Sequence, residues 1–227
     1  ARGKYTDLCY PYRRASGFGK YRLPRHPACG GKFVSRSQQK RIMDKKVLCA
    51  PFSDETIRSL KTGDMVYISG TVYTARDEAH RRLCEMIRRG EPMPFDIEGQ
   101  AVYYAGPAPA KPGKPIGSVG PTTGGRMDAY SPSLIARGFK VMIGKGTRSA
   151  QVVDAMKQYT GVYFAAIGGA AALMAKCVES AEVIAFEELG TEAVRRLTVK
   201  ELPVVVAIDC RGNDVYKLAR EIYEQSI

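Results

Sequence analysis

Short aliphatic runs that alternate with helical segments constrain the fold of this chain more than any other feature of its sequence. A strand is predicted over Lys140–Ile143, a helix over Ser149–Tyr159 and a second strand over Val162–Ile167. Alternation of this kind is typical of an α/β core whose strands are covered on both faces. Further along the chain we expect a helix at Ala170–Cys177, strands at Val183–Phe186, Val194–Val199 and Pro203–Ile208, and a final helix at Asp214–Gln225 that Asn213 caps.

The part of the chain that precedes this alternation is richer in β-favouring residues. Ser53 begins an N-cap pattern for a short helix that is predicted to end near Thr62. Gly70 separates two β-favouring runs, and Asp77–Arg89 has the apolar spacing of an amphipathic helix. We therefore expect a sheet or a small barrel here. The remaining predicted elements are a strand at Ala101–Ala105, an extended proline-rich connector at 106–115, a strand at Ile116–Val119 and a helix from about Gly125 to Arg137.

The net charge of +12 is concentrated at the N-terminus. Residues 1–46 carry 13 Lys and Arg side chains against two acidic ones, whereas residues 47–227 carry 22 basic and 21 acidic side chains. The N-terminal segment also has almost no aliphatic periodicity, so it cannot bury enough apolar area to fold independently. We predict a basic extension over residues 1–45 and a folded domain over residues 46–227. The sequence leaves open whether the extension is a mobile arm, a segment draped over a partner or an organelle-targeting leader.

Cysteine and histidine are too few and too scattered to predict a metal site or a disulfide framework. None of the six cysteines forms a C-x-x-C pair, and His26 and His80 are the only histidines. We interpret His80 as a surface or capping residue. Isolated thiols in a chain of 227 residues fit a reducing compartment, so we expect a cytoplasmic protein. No apolar run reaches the roughly 20 residues that span a bilayer, which predicts no membrane insertion.

Two glycine-rich turns carry side chains that predict an anion-binding site. Residues 120–128, Gly-Pro-Thr-Thr-Gly-Gly-Arg-Met-Asp, lie between a predicted strand and a predicted helix, where main-chain N–H groups attract anions. Lys145 lies between two glycines at a strand end, but the spacing does not match a nucleotide P-loop. Arg76 lies at a strand-to-helix junction, where Asp77 is placed to accept the first helix amides. Each element also has an ordinary interpretation as a turn or a solvated charge, so local chemistry alone supports only an anion-binding α/β domain.

Three motifs together resemble one protein family. They are Gly-Asp-Met-Val-Tyr-Ile-Ser-Gly-Thr-Val-Tyr-Thr-Ala-Arg-Asp-Glu-Ala-His-Arg-Arg at residues 63–82, Gly-Pro-Ala-Pro-Ala-Lys-Pro-Gly-Lys-Pro-Ile-Gly-Ser-Val-Gly-Pro-Thr-Thr-Gly-Gly-Arg-Met-Asp at 106–128, and Gly-Lys-Gly at 144–146. From about Lys46 to the C-terminus, their order and content resemble the β subunit, or C-terminal domain, of class I fumarases and L-tartrate dehydratases. The resemblance implies an α/β fold of the swivelling β/β/α type with a mixed sheet, preceded here by the basic extension.

The resemblance also implies an iron–sulfur hydro-lyase that a second chain completes. The family's domain closes over a [4Fe-4S] cluster held by cysteines of a separate α subunit, and one iron acts as a Lewis acid on the substrate. The present chain has no credible set of cluster ligands, which agrees with its being the partner half. An α2β2-type hetero-oligomer is expected.

The matching motifs imply roles for individual residues. Thr122 resembles the base that exchanges the C3 proton of malate, and Lys145 resembles the lysine beside it. A threonine hydroxyl is a weak base unless its alkoxide is stabilised, so the charge of Lys145 is required. One departure is Gly124, where family members often carry Ser or Ala. The donors that resemble the family's carboxylate-binding residues are Thr123, Arg126 and Arg76.

Reversible hydration of fumarate to L-malate is the leading function, and we expect no activity without the α subunit. Dehydration of L-tartrate, or hydration of a mesaconate-type dicarboxylate, shares the site plan and is the first alternative. A protein that binds nucleic acid or an acidic partner through the tyrosines and basic residues of the extension is a second, against which the segregation of charge weighs. A stand-alone carboxylate-binding module is a third.

Overall fold

The structure, a computed structural model, describes residues 46–224 of the chain. The predicted basic extension at residues 1–45 lies outside this range and stays a prediction. Among the helices that are described, none combines the length and the apolar character that crossing a bilayer requires.

Strands and helices alternate along the described residues. The strands are β1 (Lys46–Cys49), β2 (Met65–Thr74), β3 (Ala101–Tyr103), β4 (Val141–Gly144), β5 (Val162–Ala165), β6 (Val178–Ala185) and β7 (Val194–Ile208). The α-helices are α1 (Asp54–Arg58), α2 (Asp77–Arg89), α3 (Ser131–Ala136), α4 (Ala150–Tyr159), α5 (Ala171–Lys176) and α6 (Val215–Glu224). Two 3-10 turns cover Gly124–Met127 and Glu187–Glu192.

One mixed sheet contains all seven strands, in the order β1-β2-β3-β4-β5-β7-β6. The neighbours from β1 to β5 pair in parallel, and β7 pairs antiparallel with β2, β5 and β6. Because β7 bonds to β5 and also to β2, strands β2, β3, β4, β5 and β7 close into a ring. The predicted mixed α/β architecture is confirmed, and the expected sheet or small barrel includes strands from both halves of the described chain.

Strand β7 joins two segments that were predicted as separate strands, Val194–Val199 and Pro203–Ile208. Its first half pairs with β6, its second half pairs with β5, and β2 runs along its other edge. Glu201 lies between the halves with a φ of +54°, a left-handed conformation that turns the strand where it changes partner. The polar residues of this turn interrupt the apolar pattern, which is why the sequence predicts two strands.

Side chains of the central strands alternate between two apolar cores. Along β4, Val141 and Ile143 belong to one core and Met142 to the other. The first core gathers residues from all five strands of the ring, and the second packs the opposite strand faces against α2, α3 and α4. Burial on both faces explains why these strands appear in the sequence as continuous aliphatic runs.

The strand predicted at Ile116–Val119 is wrong. This segment is extended but joins no sheet ladder, and individual bonds fix it instead. Val119 N donates to the carbonyl of Ala171 (3.1 Å), and the buried Tyr103 hydroxyl donates to the carbonyl of Val119 (3.0 Å). Its apolar side chains therefore cover one end of the first core without extending the sheet.

The helix predicted from about Gly125 to Arg137 is two elements. A 3-10 turn at Gly124–Met127 precedes α3, which begins at Ser131 with Pro132 in its first turn. Proline is favourable at a helix start because its missing N–H would have no partner there. This break separates the Thr-Thr-Gly-Gly segment at 122–125 from α3, so that Thr123 can pair with Lys145 at the edge of the sheet.

Two predicted helix ends also differ. The hydroxyl of Ser53 accepts a bond from Thr56 N (3.1 Å), which confirms the predicted N-cap, but α1 ends at Arg58 rather than near Thr62. At the start of α6, Asp214 caps the helix in place of the predicted Asn213, because its Oδ1 accepts from Tyr216 N (2.9 Å). The amide of Asn213 donates instead to Asp209 Oδ2 (2.8 Å).

Two residues of β2 provide a matched test of the ring core. Ile68 is fully buried, whereas Met65 is 57% exposed on the same strand. Replacement Ile68→Ala should lower the free energy of unfolding by about 2–5 kcal/mol, because it leaves a cavity in a closed core. Replacement Met65→Ala should change it by no more than about 0.5 kcal/mol. Urea unfolding of the full chain measures both, and equal effects would contradict the assignment of the core.

Candidate functional site

Main-chain hydrogen bonds join the two glycine-rich turns, residues 121–125 and 144–148, which we call the loop pair. Lys145 N donates to the carbonyl of Thr122 (3.2 Å), and Gly124 N donates to the carbonyl of Lys145 (2.7 Å). Thr123 and Lys145 are partners in a parallel bridge. Thr122 N also donates to the carbonyl of Tyr104 (2.6 Å), which follows β3. The structure thus brings Thr122, Thr123 and Lys145 together beyond the carboxyl ends of β3 and β4.

The three side chains of the loop pair differ in exposure. Lys145 and Thr123 are exposed, and Thr122 is half-buried. Partners in a bridge project their side chains to the same side, so this register sets the side chain of Thr123 beside that of Lys145. An ammonium and a hydroxyl on an open surface attract an anion only weakly, because water screens them. The electrostatic effect of the loop pair therefore increases when another surface excludes water from it.

The two predicted arginines are linked to each other by a carboxylate. Asp77 Oδ1 accepts from Arg126 Nε (2.9 Å), and Asp77 Oδ2 lies 3.9 Å from Arg76 Nε. A terminal nitrogen of Arg76 also lies 3.6 Å from the carboxylate of Glu192. Arg126 belongs to the 3-10 turn that follows Thr123, so this chain of ion pairs connects Arg76 at the start of α2 to the loop pair. The side chain of Arg126 remains 51% exposed.

The predicted role of Asp77 as the cap of α2 is wrong. Glu192 caps the helix, because its Oε2 accepts from Glu78 N (3.0 Å), while Asp77 is engaged by the two arginines. Gly106 explains how Arg76 fits beside this junction. A Cβ at Gly106 would lie 2.7 Å from a terminal nitrogen of Arg76, so only glycine leaves room for the guanidinium.

Arg148, the last residue of the second turn, has a buried side chain and was not singled out in the sequence. Its Nε donates to Asp128 Oδ1 (2.7 Å), its Nη2 to Ser131 Oγ (2.7 Å) and its Nη1 to the Tyr104 hydroxyl (3.3 Å). Burial opposes the positive charge, but Tyr104 and Asp128 outweigh it and raise the pKa of Arg148. In the sequence, Arg148 stands two residues after the Gly-Lys-Gly turn, and a solvated arginine would look the same at that position.

The surface interpretation of His80 is wrong, because its side chain is buried. Its Nδ1 donates to the carbonyl of Arg76 (2.8 Å), the residue that precedes α2, and its ring meets the ring of Tyr104 edge-on at 5.2 Å. A carbonyl can only accept, so Nδ1 carries the proton. Desolvation lowers the pKa of His80 to about 4, and the imidazole is neutral at physiological pH.

The described cysteines are Cys49, Cys84, Cys177 and Cys210, and all four are free thiols. Burial raises the pKa of Cys84 and of Cys177, which keeps both thiols protonated and weakly reactive. Within residues 46–224, no three His, Cys, Asp or Glu side chains gather into a group that could hold a metal ion.

Comparison with known protein families gives the family of the chain. The family model described as "Fumarase C-terminus" matches residues 25–219. The chain belongs to this family. The family predicted from the three motifs is thereby confirmed, and the match begins upstream of Lys46, within the predicted basic extension.

Individual relatives fall into two groups. "Fumarate hydratase 2" of Leishmania major is 43% identical over 156 residues, which are 68% of this chain and 28% of that protein. "Fumarate hydratase class I, aerobic" of Escherichia coli strain K12 is 42% identical over 152 residues, 66% of this chain and 28% of that protein. "Putative L(+)-tartrate dehydratase subunit beta" of Methanocaldococcus jannaschii is 38% identical over 176 residues, 74% of this chain and 90% of that protein. The chain thus spans about a quarter of the fumarate hydratases and nearly all of the tartrate dehydratase subunit.

The close packing around Gly124 has a testable consequence. A Cβ at Gly124 would lie 2.5 Å from the Tyr163 hydroxyl and 2.9 Å from Arg148 Cδ, whereas a Cβ at Gly125 would meet nothing closer than 3.7 Å. Replacement Gly124→Ala should therefore lower the free energy of unfolding by about 1–3 kcal/mol, and Gly125→Ala should have little effect.

Adding Tyr163→Phe to Gly124→Ala should recover part of that loss, since it removes the nearest clashing atom. Alone, Tyr163→Phe should be nearly neutral, because its hydroxyl is buried without a hydrogen-bond partner among the described residues. Denaturant unfolding of the four-member cycle measures the coupling, and strictly additive effects would show that the two positions do not touch.

The buried His80 predicts a pH dependence of stability. The unfolded chain takes up a proton near pH 6.5 and the folded chain only near pH 4, so the free energy of unfolding falls as the pH decreases through this window. The full loss is about 3 kcal/mol. Unfolding measured from pH 7 to pH 4 should show this slope in the wild type but not in His80→Phe. Parallel curves for the two proteins would contradict the prediction, because the acidic groups titrate alike in both.

Proposed function

We propose that this chain is the β subunit of a hydro-lyase that interconverts fumarate and L-malate together with an α subunit that holds a [4Fe-4S] cluster. The observation that carries the proposal is the main-chain pairing of the loop pair, which sets the Thr123 side chain beside that of Lys145, next to the half-buried Thr122 and three residues before Arg126. Membership of the fumarase C-terminal family and the fumarate hydratase relatives support the reaction class.

Arg126, Arg76 and Thr123 bind the substrate carboxylates in this proposal. A dicarboxylate needs cationic donors at both ends, and the planar guanidinium of arginine matches the two oxygens of a carboxylate. Asp77 bonds to Nε of Arg126, so it orients the guanidinium while the terminal nitrogens stay available to a ligand. Arg76 lies between Asp77 and Glu192 at the longer distances of 3.9 and 3.6 Å, and its side chain is only 22% exposed.

Thr122 carries the proton in this proposal. In dehydration its alkoxide accepts the C3 proton of malate, and in hydration its hydroxyl returns that proton. Its main chain is fixed on both sides, by Tyr104 and by Lys145, which holds the backbone that carries the hydroxyl in one place. Lys145 stabilises the alkoxide, and its charge acts strongly only after the α subunit excludes water.

The cluster belongs to the α subunit in this proposal and supplies a Lewis-acidic iron for the substrate oxygens. The described cysteines of the present chain do not form a ligand set for it. Residues 46–227 act as a swivelling domain that closes over the substrate, within an α2β2-type assembly. The predicted cytoplasmic location stays a prediction.

L-Tartrate dehydration is the second candidate, and one observation favours it. The chain covers 90% of the tartrate dehydratase subunit of M. jannaschii but 28% of each fumarate hydratase named above. Tartrate differs from malate by one hydroxyl, and the donor set of the loop pair suits both. Assays of the same preparation with fumarate, L-malate and L-tartrate decide between the two substrates.

Anaerobic reconstitution of the full chain with its α subunit and cluster tests the proposal. Thr122→Val and Lys145→Met should lower kcat by about 10²–10⁴-fold, because they remove the base and the charge that stabilises it. Arg126→Lys should mainly raise KM, since a point charge replaces a two-pronged donor.

Matched variants identify the hydroxyl and control for general damage. Thr123→Val should raise KM and keep most of kcat, whereas Lys157→Met, at a distant exposed lysine on α4, should match the wild type. If Thr123→Val abolishes turnover and Thr122→Val does not, the base is Thr123. Full activity of the chain without any α subunit would overturn the division of labour.

A further inference from the structure

We infer that Arg148 and Asp128 are positioning residues whose buried ion pair holds the loop pair in register. The catalytic part of this inference rests on the proposed function. The structural part rests only on the contacts of the two side chains, so it can be tested whether or not the chain is a hydro-lyase.

Both oxygens of Asp128 accept hydrogen bonds, one from the last residue of the second turn and the other from the residue that follows it. Oδ1 accepts from Arg148 Nε (2.7 Å), and Oδ2 accepts from Ser149 N (2.6 Å) at the start of α4. Asp128 itself follows directly after the 3-10 turn that carries Arg126. A single carboxylate therefore ties the chain after Lys145 to the chain after Arg126.

The guanidinium of Arg148 extends this connection to two further elements. It donates to Ser131 at the start of α3 and to Tyr104, whose carbonyl binds Thr122 N. It also lies 5.3 Å from the ring centre of Tyr104 and 4.9 Å from that of Tyr163. The Arg148 side chain is fully buried, so water cannot replace these partners.

Gly124 packs against the Arg148 side chain and links its position to the pairing of the two turns. A Cβ on Gly124 would lie 2.9 Å from Arg148 Cδ, so the glycine rests directly on the arginine. The N–H of the same glycine donates to the carbonyl of Lys145. A displacement of the arginine therefore moves the residue that closes the pairing between Thr122 and Lys145.

The substitution Arg148→Lys separates the effect of side-chain geometry from the effect of charge. It keeps the positive charge near Asp128, but a flexible ammonium cannot reproduce the planar fork that reaches Asp128, Ser131 and Tyr104 together. The register of the loop pair should then loosen while the sheet stays intact. Ion pairs at the surface have no such effect, since solvent takes the place of a lost partner.

Hydrogen exchange of the full chain, followed by NMR, tests the structural part. In Arg148→Lys the amides of Gly124 and Lys145 should exchange at least about tenfold faster, whereas amides of the β2–β7 ladder should be unchanged. In neither of two controls should Gly124 and Lys145 accelerate more than the ladder does. Arg196→Lys alters an exposed ion pair to Glu182 (2.6 Å), and Ile57→Ala weakens the core away from the loop pair.

Kinetics of the reconstituted complex test the catalytic part. Arg148→Lys should lower kcat about 10²-fold, with KM for fumarate changed less than about threefold, because misplaced groups slow chemistry more than binding. Ile57→Ala should change neither. If Arg148→Lys does not fold, Asp128→Asn replaces it in both experiments, with the same expected pattern.

Exchange at Gly124 and Lys145 that stays at wild-type rates, or that accelerates equally with the β2–β7 ladder, would overturn the positioning role. A wild-type complex without activity on any dicarboxylate would refute the proposed function and leave the exchange result standing. Faster local exchange with unchanged kcat would overturn the catalytic part of the inference and confirm the structural part.

Discussion

The antiparallel pairing of β2 with β7 is the interaction on which the rest of the structure depends. It closes the ring of strands, and it also brings the end of β2 beside the start of β7. Arg76 follows β2 and Glu192 precedes β7, so the ladder that closes the core brings these two charges together. The position of Arg76, which we propose binds a substrate carboxylate, is thus a consequence of sheet closure, while the loop pair depends on the parallel strands β3 and β4.

The donor groups of the site lie at a surface, and their charges are nearly balanced there. Arg76 and Arg126 share Asp77, and Glu192 takes a further contact, so little excess charge remains before Lys145 is counted. Such a surface binds a small anion weakly in water, because each donor already has a partner or a hydration shell. In the proposed complex, the α subunit removes this water and strengthens the attraction of the same donors for a dicarboxylate.

The sequence predicted those features that depend on local chemistry. Helix α2 was predicted with its observed bounds because 13 residues of regular apolar spacing end at Gly90, which adopts the left-handed cap. The two glycine-rich turns were predicted because glycine and proline mark turns locally. Local patterns do not contain the register between distant segments. Three features of this structure depend on it: the bridge between Thr123 and Lys145, the change of partner along β7, and the buried contacts of Arg148. Non-local pairs of this kind leave no periodic trace in one sequence.

The close packing of Gly124 on the hydroxyl of Tyr163 limits how this site can diverge. A side chain at position 124 has no space while the tyrosine hydroxyl occupies it, and the hydroxyl contributes no hydrogen bond within the described residues that would retain it. Loss of the hydroxyl removes the nearest of these contacts, but Arg148 Cδ would still lie 2.9 Å from a Cβ at position 124, so the arginine must also shift before a side chain fits. A lineage that gains a side chain at position 124 after it has lost the hydroxyl thus passes through a less destabilised intermediate than one that gains the side chain first.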